Sequence, residues 1–360
     1  MMKFLVAFLL VAISAAADGP PVVKSLFQQW KTEFGKEYET VKELMHRMEI
    51  WTENHFFIEY HNSQEEETYE LGHNQFSDMS WDEYKEYNKL GEYSPGVLSE
   101  RSSSTDEYAD FVGDEDMSVA NQRRKLDDGG VPKEVNWVDN GAIPPVKNQG
   151  MCGSCWAFSA IGAIEGKHFL DTGDLVALSE QQLVDCDKLD MGCSGGLMDN
   201  AFLFDENSTG ICSEEDYPYV QHKRWFRGCA SDKGYCTGVN HTRVKTFIDV
   251  PNTADELVAA LADQPVSVAI EADKQSFQFY KSGVYSDPKC GNNLDHGVLA
   301  VGYGTSDEGE DYFLVRNSWG ATWGAEGYIK MARVSPTNVN GTCGILQWAS
   351  RPVLRDDTDE

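Results

Sequence analysis

Positive charge is scarce in this chain. Its 360 residues carry 30 lysines and arginines against 59 aspartates and glutamates, a formal net charge of -29. Nucleic acids and anionic membrane surfaces require basic patches, so neither is expected as a partner. The acid is not gathered in one tail. Residues 18–130 hold 26 acidic and 11 basic residues, and residues 131–360 hold 33 and 18, a net of -15 in each. Neutrality is approached only near a pI of about 4.5, which suits an acidic compartment. Cysteine is absent from the first 151 residues. Long apolar runs are absent beyond the first few residues, which excludes a later membrane span of roughly 20 apolar residues.

What is present begins with Lys3, an apolar run from Phe4 to Ile13, and Ser14-Ala15-Ala16-Ala17 ahead of Asp18-Gly19-Pro20. A charged start, a short apolar stretch and small residues before a polar break predict a secretory signal peptide over 1–17. The protein is expected in the secretory pathway, bound for a lysosome or vacuole or for the outside, and soluble and monomeric once mature. Hydrophobic residues at 41% and aromatics at 11% provide a sizeable core, and the length allows about two domains.

In an oxidising compartment the nine cysteines (152, 155, 186, 193, 212, 229, 236, 290 and 343) should mostly pair, and an odd number leaves one free thiol. The sequons at Asn207, Asn240 and Asn340 also fall in this second part and are candidate glycan sites. Between the parts, residues 91–130 are rich in Ser, Gly, Asp and Glu and include Asp114-Glu115-Asp116 and Arg123-Arg124-Lys125. Such a composition predicts an extended, cleavable acidic linker that ends between Arg123 and Val131.

Residues 18–90 read as helical. Phe27, Trp30 and Phe34 recur at helical spacing, and a second helix is expected from about Thr40 to Asn62. In it Glu43, Arg47, Trp51, Asn54, Ile58 and Asn62 fall on one face. Polar residues on an inward stripe must be satisfied, which implies a specific partner surface. An extended piece, Thr68 to Leu71, then leads to Gly72, Asn74, Phe76 and Asp78. The first stripe resembles the ERFNIN pattern of cathepsin L-like propeptides, with Trp51 where that family often has Phe. The second set resembles the companion GNFD pattern. The resemblance implies an inhibitor domain whose tail runs backwards through an active-site cleft, so the chain's own propeptide is a partner.

The second part opens with Gln149-Gly150-Met151-Cys152-Gly153-Ser154-Cys155-Trp156 before an apolar helix. A thiol in the first turn of a helix meets unsatisfied N–H groups and the positive dipole end, which favour the nucleophilic thiolate. A disulfide role, or a redox or zinc pair with Cys152, is the alternative. No second C-x-x-C lies at zinc spacing, and no cofactor is expected. The thiolate needs a histidine as counter-ion and proton donor. His296 opens the glycine-bounded apolar strand His296-Gly297-Val298-Leu299, 141 residues after Cys155. Asn317 follows the strand Asp311 to Val315, and its amide oxygen would orient the imidazole beneath Trp319. Gln149 would donate to a developing oxyanion beside the Cys155 N–H.

Residues from about 131 to 352 resemble papain-type cysteine proteases. The resemblance implies an α+β, two-lobed papain-like fold preceded by the helical prodomain, with peptidase residues 131–360. The helical lobe would carry Cys155 and a Ser179-to-Gln182 capping box. The strand-rich lobe would carry His296, Asn317, Gln264 to Glu271 and Tyr328 to Val334. The implied reaction is hydrolysis of protein and peptide substrates by a latent zymogen. Acid is expected to activate it, because paired or hydrogen-bonded carboxylates among the 26 acidic residues before 131, Asp78 included, lose those interactions when protonated. Implied disulfides are Cys152–Cys193 and Cys290–Cys343. Cys186 has two candidate partners, with Cys186–Cys229 and Cys212–Cys236 favoured over the pairing through Cys236. Backbone at Gly195 and Gly196 would pair with an extended substrate. Met198, Ala269, Leu294 and Gly297 would wall the pocket for the second residue before the scissile bond, and Trp348 would floor it unless it packs between strands. A non-catalytic inhibitor would lack one of the four catalytic residues, and a thiol–disulfide oxidoreductase would need a βαβ pattern near Cys152.

Overall fold

The computed structural model describes residues 21–65, 67–90, 130–206, 208–223, 229, 234, 236–335 and 338–355. The expected signal peptide, the linker with its cleavage site, and Asn207 lie outside the described residues.

Helix α1 (Pro21–Glu33) places Phe27 and Trp30 against Trp51 of α2 (Val41–Asn62) in a small aromatic core. The Thr40 hydroxyl caps α2 by accepting from the Glu43 N–H, so the helix starts where the sequence places it. Strand β1 (Tyr69–Leu71) is the expected extended piece. Helix α3 (Trp81–Asn88) has no counterpart in the expectations, although Ser80 and Glu83 form a complete capping box ahead of it.

The polar stripe of α2 is present, but most of its partner surface lies in the same unit. Arg47 donates to the Asp78 carbonyl (2.9 Å) and to Glu83. Asn54 donates to the carbonyls of Ser77 (3.0 Å) and Met79 (2.9 Å), and Asn62 exchanges two bonds with the Leu71 backbone. An irregular segment buried against a helix has no ladder of its own, so side-chain amides satisfy its backbone. Of the stripe's polar atoms, the Asn54 amide oxygen is the one that bonds beyond the unit among the described residues, accepting from Gln275 Nε2 at 3.2 Å. Ile58, on the same face, packs into the core of the second part.

Beyond residue 130 the chain forms two lobes. The first holds α4 (Cys155–Thr172), α5 (Glu180–Cys186) and α6 (Met198–Glu206). Helix α4 is apolar on nearly every side and runs through that core. The second lobe holds β3 (Val244–Asp249), α7 (Ala254–Asp263), β4 (Val266–Ile270), α8 (Gln275–Gln278) and β5 (Tyr280–Tyr285). It continues with β6 (His296–Thr305), β7 (Asp311–Arg316), β8 (Tyr328–Ala332) and β9 (Ala349–Leu354). The strand order is β1-β5-β8-β7-β6-β4-β9-β3, with β2 (Val135–Asn136) on β6. Strand β1 therefore extends the catalytic sheet, pairing antiparallel with β5 so that Tyr69 faces Gly283. Gly283 has φ +86, and any Cβ there would stand 2.5 Å from the Thr68 carbonyl, so only glycine lets the strand dock this closely.

The expected capping box on α5 is only half formed. Ser179 Oγ accepts from the Gln182 N–H (3.1 Å), but the Gln182 side chain turns away to Gly210 O and the Cys212 N–H. Those buried backbone groups have no ladder partner and claim the amide. Four disulfides join Cys152–Cys193, Cys186–Cys229, Cys212–Cys236 and Cys290–Cys343. Among the described residues this leaves Cys155 as the free cysteine.

Candidate active site

Cys155 is the first residue of α4 and is buried. Burial pushes its thiol up to about 11, against the N–H groups of Gly297, Trp156 and Cys155 itself, which favour the thiolate. The expected thiolate is thus held as a thiol in this covered form, because desolvation outweighs the helix terminus. His296, at the start of β6, is likewise fully buried, and desolvation lowers it to about 4 despite its bond to Asn317.

The geometry fixes the imidazole tautomer. Asn317 Oδ1 accepts from the Ser318 N–H (2.7 Å), which settles which amide atom is oxygen. The same oxygen lies 2.8 Å from His296 Nε2, so Nε2 carries the proton. Nδ1 is buried and makes no hydrogen bond among the described residues, which leaves it as the ring nitrogen for proton exchange. Trp319 stacks on His296 with centroids 4.7 Å apart and shields the Asn317 bond from water.

Gln149 is held from both ends. Its Oε1 accepts from the Ser318 hydroxyl, and its Nε2 donates to the Cys152 carbonyl at 3.1 Å. Ser318 and Tyr219 are participants the sequence expectations omit. Nothing but their neighbours in space gives them a role, since Ser318 merely follows Asn317 and Tyr219 sits in a loop.

The residues expected to meet substrate come from both lobes, Gly195, Gly196 and Met198 from the first and Ala269 of β4 and Gly297 of β6 from the second. Gly196 lies where a Cβ would stand 2.6 Å from the Trp156 ring. Gly195 already uses its carbonyl to accept from the Met191 N–H at 3.0 Å. Met198, Ala269 and Leu294 belong to one apolar cluster against which Trp348 packs. At Gly297 a Cβ would lie 3.2 Å from Met198 Sδ. The Trp348 carbonyl accepts from the Ala269 N–H, and its indole Nε1 is buried without a partner among the described residues.

Residues of the N-terminal unit cover this region. Phe76 and Tyr84 present their rings edge-on to Trp319, at 5.8 and 5.7 Å. Asn74 Nδ2 donates to the Gln278 carbonyl (2.7 Å), Gln75 Nε2 to the Trp319 carbonyl (2.8 Å), and the Tyr84 hydroxyl to the Ala272 carbonyl (2.9 Å). The Asp78 side chain accepts from Lys36 (2.8 Å) and Tyr38 (2.9 Å) and so ties its loop to the α1–α2 connection within the N-terminal unit. The Lys89 side chain lies against Gly153, two residues before Cys155. Among the described residues Glu43 contributes its backbone N–H, which donates to Thr40 Oγ1 at 3.1 Å, and no side-chain hydrogen bond. Gly72 donates to the Phe279 carbonyl at 2.8 Å.

A histidine pair lies inside the same unit. His73 stacks on Trp51 (4.3 Å between centroids, 8° between planes), and its Nε2 is 3.1 Å from His55 Nδ1. Burial lowers His73 to about 3, with the His55 charge adding to the effect. His55 is lowered as well, by burial, with Glu59 opposing.

Comparison with known proteins agrees in both parts. Residues 131–353 match the family described as papain family cysteine protease, and residues 27–84 match the cathepsin propeptide inhibitor domain (I29). The chain is similar to cathepsin L of Sarcophaga peregrina, 42% identical over 364 residues that cover 98% of this chain and 100% of the relative. It is 43% identical to the probable cysteine protease RD21C of Arabidopsis thaliana, over 91% of this chain and 68% of that one. Among solved structures, a ragweed pollen cysteine protease in its proform superposes with TM-score 0.78 at 32% identity, covering 94% of this chain and 97% of that one. Digestive procathepsin L 3 of Tenebrio molitor gives 0.74 at 34% identity, covering 93% and 100%.

Proposed function

Because the chain belongs to the papain family of cysteine proteases, with an inhibitor propeptide ahead of its peptidase domain, we propose that its chemistry runs through Cys155, His296, Asn317 and Gln149. The protein is a cysteine endopeptidase made as a zymogen. The observation that carries the residue assignment is the Asn317-oriented imidazole beneath Trp319, one residue before Gly297, whose N–H faces the free, helix-terminal Cys155 thiol. In the uncovered enzyme, solvent relieves the desolvation that keeps both groups neutral, and the proton passes from Cys155 to His296 Nδ1. The thiolate attacks the scissile carbonyl, and Gln149 Nε2 and the Cys155 N–H receive the charge on its oxygen. His296 then protonates the leaving amine, which departs and leaves a thioester. Water attacks that thioester with its proton taken by His296, and the acid product leaves with Cys155 regenerated.

Acid promotes removal of the prosegment in this reading. His73 has a folded-state value near 3 against about 6.5 for a free histidine, so its neutral form is the one the fold accepts. Its contribution is complete above about pH 6.5 and is lost progressively as pH falls toward the folded value. Protonating the pair would bury a His73 Nδ1–H that has no acceptor and set two cations in contact. Glu83 adds a second loss at lower pH, since the Ser80 N–H and Arg47 hold its carboxyl below the usual range.

Domain limits follow: a signal peptide to 17, the inhibitor over 18–90, a cleaved linker to 130, and the peptidase beyond. Of the described sequons, Asn240 is exposed and Asn340 half-buried, which favours Asn240 as a glycan acceptor. Passage through the secretory pathway to a lysosome, a vacuole or the outside, and a monomeric mature enzyme, complete the reading.

The Trp348 indole would floor the pocket walled by Met198, Ala269, Leu294 and Gly297, with Gly195 and Gly196 binding substrate backbone. Such a pocket is shallow and uncharged. Comparing kcat/KM for peptides with Val, Leu, Phe or Arg at the second position tests this; Val or Leu comes first and Arg last. Preference for Phe over Val contradicts the floor assignment, and no hydrolysis of any of them contradicts the whole reading.

A further inference from the structure

Resting on Gln149 as an oxyanion donor, we propose that Tyr219 is a positioning residue whose phenol hydroxyl ties the two halves of the oxyanion site together. The two donors come from separate pieces of chain: the Gln149 side chain from the loop ahead of the Cys152 bridge, and the Cys155 N–H from the first residue of α4. One backbone group already links them, the Cys152 carbonyl, which accepts from Gln149 Nε2 (3.1 Å) and from the Ser154 N–H (2.8 Å); Tyr219 adds a second link, to the backbone of Gln149 itself.

Tyr219 Oη lies 2.8 Å from the Gln149 backbone carbonyl and 2.6 Å from Ser154 Oγ. A phenol has one proton, and a carbonyl oxygen only accepts. Tyr219 therefore donates to Gln149, and Ser154 donates to Tyr219. One hydroxyl holds the backbone of the first donor and the side chain of Ser154, whose peptide bond carries the second.

Ser154 is in an unusual state for its position. A serine preceding a helix commonly accepts from an N–H of the first turn. Here the Ser154 side chain makes no such cap, although it sits at the cap position of α4. The Ala157 N–H donates to the Ser154 carbonyl (2.9 Å), and the N–H groups of Cys155 and Trp156 are left for charge on sulfur or on the substrate oxygen. The tyrosine is a rigid mount: its ring meets Phe158 edge-on at 4.8 Å, and its N–H donates to Glu214 Oε1 at 2.9 Å. Burial holds the phenol well above its ordinary value, so the donor proton is retained at every working pH.

The test compares Tyr219→Phe with Gln149→Ala, each made in the full-length zymogen and matured in acid. Three quantities are read: kcat and KM on a peptide, inhibition by a peptide aldehyde, and the pH profile of alkylation by iodoacetamide. The aldehyde adduct places an oxygen in the oxyanion site; alkylation needs the thiolate but no oxyanion donor. Tyr219→Phe should lower kcat about tenfold with KM little changed and weaken aldehyde inhibition to a similar degree. Its alkylation profile should match the parent, and combining it with Gln149→Ala should add little to Gln149→Ala alone. Ser154→Ala, which cuts the same relay without touching the ring, should give the same pattern more weakly and stands in if Tyr219→Phe does not fold. Should Gln149→Ala itself retain full kcat, the oxyanion reading of Gln149 fails and takes this one with it. Should Gln149→Ala lose kcat while Tyr219→Phe keeps both kcat and aldehyde affinity, only the role of Tyr219 is overturned. A Tyr219→Phe enzyme whose alkylation falls with its kcat would assign the tyrosine to the thiolate or the fold, and would also overturn the proposal.

Discussion

The inhibitory unit before residue 90 and the peptidase beyond residue 130 share one apolar core, yet different bonds hold each together. The first has no cysteine and depends on amide-to-backbone bonds, the Lys36–Asp78 and Arg47–Glu83 ion pairs, and the Trp51–His73 stack. The second carries four disulfides that close loops of 24 to 53 residues. Each such bridge contributes about 3–4 kcal/mol by restricting the unfolded chain, at any pH that keeps it oxidised. Acid acts on the titratable bonds of the inhibitor and leaves the bridges alone. The peptidase has titratable pairs as well, such as Lys147 with Glu165 and Glu180, but its bridges remain when those are protonated, so the two parts can share an apolar cluster and still come apart in acid.

The most damaging way to break this comparison is at the thiol. Cys155→Ser should fold, keep its four bridges and lose about ten-thousand-fold or more in kcat/KM, measured on a peptide after the prosegment is removed by another protease. Next comes the apolar anchor of the inhibitor. Phe76 is 2% exposed and touches Tyr84, Tyr87 and Trp319. Phe76→Ala should forfeit about 3 kcal/mol of docking and raise the neutral-pH peptidase activity of the unprocessed zymogen about a hundredfold. Unchanged latency would mean that the inhibitor is held by its backbone ladder at β1 and not by this core.

How much of this was legible in the sequence differs between the two parts for physical reasons. Cys155, His296 and Asn317 sit at element ends that the chain itself marks: an apolar helix after the thiol, a glycine-bounded strand after the histidine, a buried strand before the asparagine. The stripe on α2 was equally visible, but its target was not. Periodicity says which residues share a face, whereas the backbone that Arg47, Asn54 and Asn62 satisfy, at Leu71 and at Ser77 to Met79, is the end of a short strand and an irregular loop and leaves no period to read. Helix α3 is only eight residues long, too short for a clear pattern, although its Ser80–Glu83 capping box was there to find. Gln182 resembled a cap and instead serves buried groups at Gly210 and Cys212, a demand that exists only once the fold brings residue 210 alongside. The neutral state of Cys155 is likewise a product of burial and not of local sequence.

Smaller effects sharpen the picture. Trp348→Ala should raise kcat/KM for Phe-containing peptides about tenfold relative to Val-containing ones, because it opens the floor of an overpacked site. His73→Leu keeps an apolar body against Trp51 and removes one titrating group. It should move the pH of half-maximal prosegment release downward by about half a unit, read by gel after timed exposure to each pH. Release at the parent pH would shift the burden from the histidine pair to the carboxylates.

The central claim is that acid uncovers a nucleophile that burial keeps neutral, and labelling of the intact precursor by E-64 tests it most directly. The full-length protein is incubated with E-64 at about pH 7 and at about pH 4, and the adduct is located by mass spectrometry beside the size of the chain. The expected result is negligible labelling at neutral pH, and in acid one adduct on Cys155 that appears as the prosegment separates. Equal labelling of the unprocessed chain at both pH values, or an adduct on any other cysteine, would contradict it.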